Sequence, residues 1–220
     1  AALQCYTEAL KQQPGNVKVI VNMGTVFQAQ EDYAKAIAYY QKALSIDQNN
    51  KSAQLGLKTA SEAKKDKDLE TLAKNANEQF KAGNFDQAIA AYMELLKVNP
   101  KDAGVHYNLG AAYEQKKDID AAIAEYRLAV SLDKNNKNYP IALNDALLAK
   151  AKPIMEAAVV AQKAGKYPEA VDLYQKALVI RPKNDDLWFN LASTQVALED
   201  YKNAETSYAK AYKLNPKDQD

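Results

Sequence analysis

The residue types that most often catalyse reactions or bind metals are scarce in this 220-residue chain. It has one histidine, His106, and one cysteine, Cys5, so its side chains cannot assemble an ordinary zinc site or a Cys–His nucleophile. Acidic residues are scattered, and the glycines stand singly instead of forming a phosphate-binding loop. We therefore expect no enzyme, no cofactor and no metal site within these residues.

Composition argues against two further kinds of partner. The formal net charge is +1, which provides no electrostatic footprint for nucleic acid. No apolar run reaches the ~18 residues that suggest a membrane span, so we expect no direct insertion into a membrane. The compartment stays open, with a soluble cytoplasmic protein favoured. The single Cys5 cannot form an intramolecular disulfide, and we expect it to be a small apolar filler between helices.

Small and aromatic residues, in contrast, recur at a spacing of 34 residues. In one instance the run 108–113 (NLGAAY) is followed by Ala122, Tyr126 and Ala129. Full copies of this pattern occupy residues 17–50, 69–102, 103–136, 151–184 and 185–218. This spacing is typical of a helix-turn-helix unit that cannot bury its apolar face alone and must stack on neighbouring copies.

The repeat resembles the tetratricopeptide repeat over nearly the whole chain. A slot for a small residue on the first helix of each copy holds Gly24, Ala76, Gly110, Ala158 and Ala192. A small slot on the second helix holds Ala36, Ala88, Ala122, Ala170 and Ala204. The aromatic slot is always tyrosine: Tyr40, Tyr92, Tyr126, Tyr174 and Tyr208. The resemblance implies an all-α fold, a right-handed superhelical solenoid of such repeats, with these residues in its core. His106 fills a bulky apolar slot that holds Ile20 and Trp188 in other copies, so we expect it in the core as well.

The copies are grouped by two odd segments, each similar to the first helix of a copy without its second helix. We predict three modules: residues 1–68 (half repeat 1–16, repeat 17–50, capping helix 51–68), residues 69–150 (repeats 69–102 and 103–136, capping helix 137–150), and residues 151–220 (repeats 151–184 and 185–218, without a cap). In the caps, the apolar residues expected to face the array are Leu55, Leu57, Ala60, Ile141, Leu143 and Leu147.

The joints between modules are predicted to differ. From Leu57 to Ala82 there is no glycine or proline, which favours one continuous helix over about 51–82. In the second joint Pro153 either begins a new helix or kinks a long one. The half repeat and the uncapped last copy suggest a piece of a longer protein, and we expect the exposed ends to associate end to end.

By resemblance, the first helices line a concave groove that takes an extended peptide or a partner helix. The residues expected to face it are Val21, Asn22, Thr25, Asn77, Phe80, Tyr107, Asn108, Ala111, Glu114, Met155, Val159, Gln162, Phe189, Asn190 and Ser193. Aromatic rings supply contact area, and amides pair with a ligand backbone.

Two groove types known in the family fit poorly. In the clamp that chaperone adaptors place on terminal carboxylates, Asn77 and Asn108 match, but the cationic slots hold Ala73 and Ala142, so charge-assisted bonds are lost. The asparagine ladder of sugar-transferring enzymes is interrupted here, since Gly56 follows Asn22 and Ala142 follows Asn108.

The resemblance therefore implies a non-enzymatic scaffold for protein–protein interaction, with a protein or peptide as partner. Two alternatives stay open: a structural, self-assembling element that uses its module ends and convex surface, and the recognition arm of a larger enzyme.

Overall fold

The structure, a computed structural model, describes residues 2–216. That part of the chain consists of helices and turns with no strand, as the sequence predicts. The helices are α1 Ala2–Gln12, α2 Val17–Ala29, α3 Tyr33–Ile46, α4 Lys51–Lys81, α5 Phe85–Val98, α6 Ala103–Gln115, α7 Ile119–Leu132, α8 Asn138–Lys163, α9 Tyr167–Ile180, α10 Asp185–Ala197 and α11 Tyr201–Leu214.

Short polar side chains begin most of these helices. Asn16, Asp102 and Asn184 each accept a hydrogen bond from the backbone N–H three residues later, at the starts of α2, α6 and α10. The same cap is made by Asp32 at α3 and Asp118 at α7. Such caps satisfy backbone N–H groups that have no partner within the helix, and each contributes about 1 kcal/mol. They place each first helix directly after the loop that closes the preceding copy.

The chain divides into two compact units, Ala1–Asn75 and Ala76–Asp220. In the first unit the core lies where α2, α3 and the first part of α4 meet. The Tyr40 ring is 2% exposed. It lies so close to Gly24 and Gly56 that a Cβ on either would come within 2.7 Å and 2.4 Å of its carbons. Glycine at both positions lets α2 and α4 approach α3.

Two expectations for the first unit are wrong. Leu55 is 64% exposed, whereas Leu57 and Ala60 do pack on the core. Leu55 is the fifth residue of its segment, the slot that holds the predicted groove residues Tyr107 and Phe189 in complete copies. Cys5 is exposed, because α1 contributes no buried residue to the unit.

The second unit stacks consecutive helices, with α6 paired to α7, α8 to α9 and α10 to α11. Its largest buried cluster joins Ala158, Tyr174, Leu178, Leu187 and Leu191 from α8, α9 and α10. A second cluster joins Tyr126 and Ile123 of α7 to Ala146 of α8. The predicted small and aromatic slots therefore do form the core. Tyr208 of α11 is the exception among the five slot tyrosines, since it is only half-buried.

His106 is buried, with 7% of its surface exposed, but its contacts are polar. Its Nδ1 lies 2.6 Å from a Glu125 carboxylate oxygen, and its Nε2 lies 3.1 Å from the Pro100 carbonyl oxygen. In the last copy the Trp188 indole N–H donates to the Pro182 carbonyl at 2.9 Å. In these two copies the slot therefore ties the first helix to the loop that closes the copy before it.

Both joints are continuous helices. The first joint lies within α4, which runs unbroken from Lys51 to Lys81 as the sequence favours. Helix α8 passes through Pro153 without ending. The boundary between compact units falls at 75/76, and the division into three modules stays a prediction.

Candidate protein-binding surface

The hydroxyl groups of the slot tyrosines connect the core to the predicted groove. Tyr126 donates to the Glu114 carboxylate at 2.8 Å, Tyr174 to the Gln162 side-chain oxygen at 2.7 Å, and Tyr40 to that of Gln28 at 2.9 Å. In each pair the acceptor lies twelve residues before the tyrosine, one slot on the first helix of the same copy. Burial, together with the hydrogen bond to Glu114, raises the pKa of Tyr126 far above its ordinary value. The phenol therefore remains a donor and orients the acceptor.

In the copy 69–102 the acceptor is a different residue, Asn77. Phe80 occupies the slot twelve residues before Tyr92, so the Tyr92 hydroxyl reaches back to the Asn77 side-chain oxygen at 2.7 Å. Burial raises the pKa of Tyr92, which keeps its hydroxyl protonated. The bond turns the Asn77 oxygen inward, so its NH₂ group is left to donate toward solvent.

Asn108 of α6 lies beside this amide. Its Nδ2 lies 3.5 Å from the Asn77 oxygen, at the limit of a hydrogen bond, and its own side-chain oxygen has no partner among residues 2–216. One amide therefore offers N–H donors and its neighbour offers an acceptor. These are the groups that a peptide bond needs on its two sides.

The two amides line a pocket of about 320 Å³, which we call the amide pocket. Its walls are Asn77, Phe80, Lys81, Tyr92, Asn108 and Ala111. Four of these, Asn77, Phe80, Asn108 and Ala111, are predicted groove residues that the structure brings together. Lys81 and Tyr92 were missed. Tyr92 was assigned to the core alone, and the pattern that assigns groove slots gave no reason to select Lys81.

The other predicted groove residues of the second unit do not join the amide pocket. Tyr107 packs its ring against Tyr139 and Tyr126, at centroid distances of 5.1 and 5.7 Å. Met155 and Val159 pack on the cluster around Ala158, and Glu114 and Gln162 accept from the slot tyrosines. Asn190 and Ser193 are half-buried on α10, and Phe189 beside them is half-exposed.

Val21, Asn22 and Thr25 belong to the first unit. Val21 packs on its core, Asn22 is half-buried, and Thr25 is exposed, with its hydroxyl 3.3 Å from that of Tyr40. Their part in binding stays a prediction.

Ile141 was expected to face the stack, and that expectation is wrong. It is 58% exposed, while Leu143 and Leu147 pack on the core of the second unit. Ile141 is the fifth residue of its segment, the slot that holds Tyr107 and Phe189 in complete copies. Its exposed side chain extends the apolar character of that side of α8.

No three His, Cys, Asp or Glu side chains of residues 2–216 are grouped so that they would hold a metal ion. Over the same range, none of the helices combines the length and apolar character that crossing a membrane requires.

Family models for the tetratricopeptide repeat match residues 17–50, 74–140, 163–199 and 185–218. The chain belongs to the tetratricopeptide repeat family. The matched ranges include the tyrosine slot of every full copy and all the small slots except Ala158, so the slots that form the core are those of the family repeat.

Several curated proteins are similar to this tetratricopeptide repeat chain. A probable UDP-N-acetylglucosamine–peptide N-acetylglucosaminyltransferase SPINDLY of Hordeum vulgare is 33% identical over 128 residues, 58% of this chain and 12% of the relative. A heat shock protein sti1 homolog of Schizosaccharomyces pombe is 32% identical over 127 residues, 54% of this chain and 21% of the relative. The human protein O-mannosyl-transferase TMTC3 is 24% identical over 218 residues, 96% of this chain and 21% of the relative. The chain thus spans between 12% and 38% of the length of such relatives.

Solved structures are similar at lower identity. The MamA protein is 19% identical with a TM-score of 0.29, over 91% of this chain and 92% of that one. The TPR2AB domain of yeast Sti1 in its pHSP90 complex is 18% identical with a TM-score of 0.39, over 91% of this chain and 78% of that one.

Proposed function

We propose that this chain is a non-enzymatic scaffold for protein–protein interaction, and that the amide pocket of its second unit holds the backbone of an extended peptide segment. The observation that carries the proposal is the orientation of two neighbouring amides, Asn77 by the Tyr92 hydroxyl and Asn108 beside it. A protonated, buried tyrosine fixes the direction of the first amide before any ligand arrives, which reduces the entropy lost on binding.

The remaining walls suit a peptide of modest polarity. Phe80 packs edge-on against Phe85 with ring centroids 5.7 Å apart, and it presents an apolar side to the pocket. Lys81 adds one positive charge, which favours a peptide that carries an acidic side chain beside the bound backbone. In this arrangement, hydrogen bonds to the peptide backbone give the affinity. Phe80 and Lys81 determine which peptide side chains are preferred.

The test begins with peptides selected from a displayed random library on the wild-type chain. Because each amide makes about one net hydrogen bond worth 0.5–1.5 kcal/mol, Asn77→Ala and Asn108→Ala should each weaken binding of the selected peptide by roughly 2- to 10-fold. Asn135→Ala is the matched control, since this exposed asparagine lies in the loop between α7 and α8 and should bind like wild type.

A second measurement identifies the backbone contact. Replacing single peptide bonds of the selected ligand by esters removes one N–H at a time. One ester should weaken binding to the wild type but not to Asn108→Ala, because the acceptor is already absent there. If both asparagine variants bind like wild type, the amide pocket does not hold the peptide.

A second candidate is that these repeats form the recognition arm of an enzyme whose catalytic domain lies elsewhere. Two relatives, SPINDLY and TMTC3, are described as transferases, and this chain matches only 12% and 21% of their lengths. In that case the amide pocket would hold the substrate protein. Joining this chain to a catalytic domain would then lower the KM for a substrate carrying the selected peptide and leave kcat unchanged.

A further inference from the structure

A second pocket lies between α10 and α11, away from the amide pocket. It has a volume of about 410 Å³ and we call it the α10–α11 pocket. Its walls include Asp185, Asp186, Phe189, Tyr208, Tyr212 and Asn215. Phe189 is 50% exposed and Tyr212 is 57% exposed, although both are large rings. Nothing in the proposed peptide-binding function uses these residues.

The preceding complete module shows what kind of group fits such a place. Residues 103–136 and 185–218 are copies of the same repeat, so Tyr107 corresponds to Phe189 and Tyr126 to Tyr208. In the copy 103–136 this place is covered by the start of α8. The Tyr139 ring packs on Tyr107 at 5.1 Å, and its hydroxyl lies 3.9 Å from where a Cβ on Gly104 would be. A helix that inserts one large side chain is thus the occupant found within the same unit.

Two slots of the α10–α11 pocket hold different residues from those in the copy 103–136, and both differences change its chemistry. Asp186 stands at the slot of Gly104, and Tyr212 stands at the slot of Val130. The inserted group would therefore meet a carboxylate at its polar end and an additional ring at its side. Neither Asp185 nor Asp186 makes an ion pair with any residue between 2 and 216, and no cationic side chain is among the pocket walls.

Aromatic faces and unpaired carboxylates together favour a cation, and arginine best of all. A guanidinium stacks on rings and donates to a carboxylate through two N–H groups at once. A cation over an aromatic ring is attracted more strongly the further it is removed from water. A tyrosine such as Tyr139 would fill the same volume but would leave both carboxylates without a positive partner.

We propose that the α10–α11 pocket is a docking site for a helix of a partner protein, which inserts an arginine where α8 inserts Tyr139 in the preceding module. The helix supplies the apolar contact that α8 makes in that module. The arginine supplies the selectivity, through Asp186 and the rings of Phe189 and Tyr212.

Two synthetic peptides test this directly. Both have the sequence of residues 137–150 with blocked ends, one with the native tyrosine and one with Tyr139→Arg. Each is titrated into the isotope-labelled whole chain while backbone amide shifts are followed by NMR. We expect the arginine peptide to bind about tenfold more tightly than the tyrosine peptide, with shifts centred on Phe189, Tyr208 and Tyr212. The difference should shrink between about 50 mM and 500 mM salt, because an exposed ion pair is screened.

Variants of the chain test whether Asp186 causes the tighter binding of the arginine peptide. Asp186→Asn should reduce the advantage of the arginine peptide to threefold or less, by analogy with other single charge-pair losses at partly exposed sites. Asp172→Asn is the matched control, because this exposed aspartate of α9 pairs with Lys176 at 2.6 Å and lies outside the pocket walls. The proposal is overturned if neither peptide shifts these amides, if the tyrosine peptide binds at least as tightly, or if Asp186→Asn keeps the full preference.

Discussion

At the scale of single residues, the slot tyrosines have two roles that the sequence pattern does not separate. Each ring fills the core, and four of the five hydroxyls reach a polar group on a first helix. The fifth, Tyr208, faces Val196 at the corresponding slot and instead packs its ring edge-on against Phe189 at 5.4 Å. Through these bonds, the orientation of the side chains that accept them depends on the protonation of buried phenols.

The first prediction concerns Tyr126 at high pH. Burial and the hydrogen bond to Glu114 raise its pKa above the ordinary value of 10.0. The folded chain therefore favours the protonated phenol, and this stabilisation is fully present below the pKa of the unfolded chain. It is lost as pH rises above about 10, because the unfolded chain then gains free energy by ionising. Tyr126→Phe cannot ionise, so its stability should fall less than that of wild type between about pH 9 and pH 11.

Urea unfolding at several pH values measures the difference. Near neutral pH the variant should be about 1 kcal/mol less stable, since the Glu114 carboxylate loses its hydroxyl donor. Tyr201→Phe, which removes a phenol that is 64% exposed, is the control for a surface tyrosine. Parallel stability losses in wild type and Tyr126→Phe at high pH would show that the buried phenol is not coupled to folding.

The spacing of the repeat predicted which positions are buried, but not the hydrogen bonds that polar side chains make at those positions. His106 was expected in the core from its slot, and it is buried, yet it bonds Glu125 and the Pro100 carbonyl. A signal was present: Pro100 lies six residues before His106, as Pro182 lies six residues before Trp188. Ile20 follows Pro14 at the same distance but has no N–H to donate. Glu125 could not be found in this way, because its reach depends on how α7 packs on α6.

At the scale of helices and turns, the same backbone conformation is made by different residues. Gly83 and Gly165 have φ values of +81° and +73°, in the left-handed region. At the corresponding turns of other copies, Glu31, Lys117 and Glu199 have φ values of 57°, 63° and 60°. Glycine adopts this conformation without strain, whereas Glu31, Lys117 and Glu199 carry side chains. At those three turns the neighbouring helices impose the conformation against the local preference, which a sequence pattern cannot reveal.

The second prediction uses this contrast. A residue with a side chain costs about 1–2 kcal/mol in the left-handed region. Replacing it by glycine removes this strain, but part of the stabilisation is lost because glycine has more conformational freedom in the unfolded chain. Lys117→Gly should therefore stabilise the second unit by about 0.5–1 kcal/mol, and Gly165→Ala should destabilise it by about 1 kcal/mol. Equilibrium urea unfolding gives both values.

The control for this pair is Gly15→Ala. A Cβ at Gly15 or Gly165 would meet nothing within 4 Å, but only Gly165 has a positive φ. Any difference between the two alanine variants therefore comes from the backbone and not from crowding. Equal effects at both positions, or a loss of stability in Lys117→Gly, would contradict the argument.

The segments predicted as capping helices, 51–68 and 137–150, show where the apolar pattern fails to predict which side of a helix faces the core. Leu55 and Ile141 were predicted to face the stack because they are apolar, yet both are mostly exposed. Each is the fifth residue of its segment, the slot that holds the predicted groove residues Tyr107 and Phe189 in complete copies. Apolar character alone does not determine which side of a helix faces its neighbours. The rotation follows from Ala53 and Ala60 in α4 and from Ala146 in α8, whose small side chains allow close approach.

At the scale of the whole molecule, helix α4 crosses the boundary between the two compact units at 75/76. No residue from 61 to 75 is buried, whereas Ala60 and Ala76 at either side are fully buried. The side chains in this stretch form exposed ion pairs, Lys64 with Asp68 at 2.6 Å and Lys67 with Glu31 at 2.9 Å. Exposed pairs of this kind contribute about 0–1 kcal/mol each, so little tertiary energy holds the segment in helical form.

The third prediction is that this segment, residues 61–75, opens without unfolding either unit. Local opening costs less where no side chain is fully buried, as in residues 61–75. The amides of 61–75 should therefore exchange with deuterium faster than those of 53–60 and 76–81 in the same helix. Lys65→Pro tests the consequence, because proline in a helix interior costs about 3 kcal/mol or more. Exchange should rise across 61–75, while residues 85–214 keep their protection.

The matched variant is Glu94→Pro, another exposed position in a helix interior, but within α5 of the second unit. Since α5 contributes Ala91, Tyr92 and Leu95 to the core, this proline should lower protection across the second unit and leave the first unit as it was. If Lys65→Pro instead deprotects both units to the same extent, α4 transmits stability between them and the chain unfolds as one cooperative body. Uniform slow exchange along all of α4 in the wild type would lead to the same conclusion.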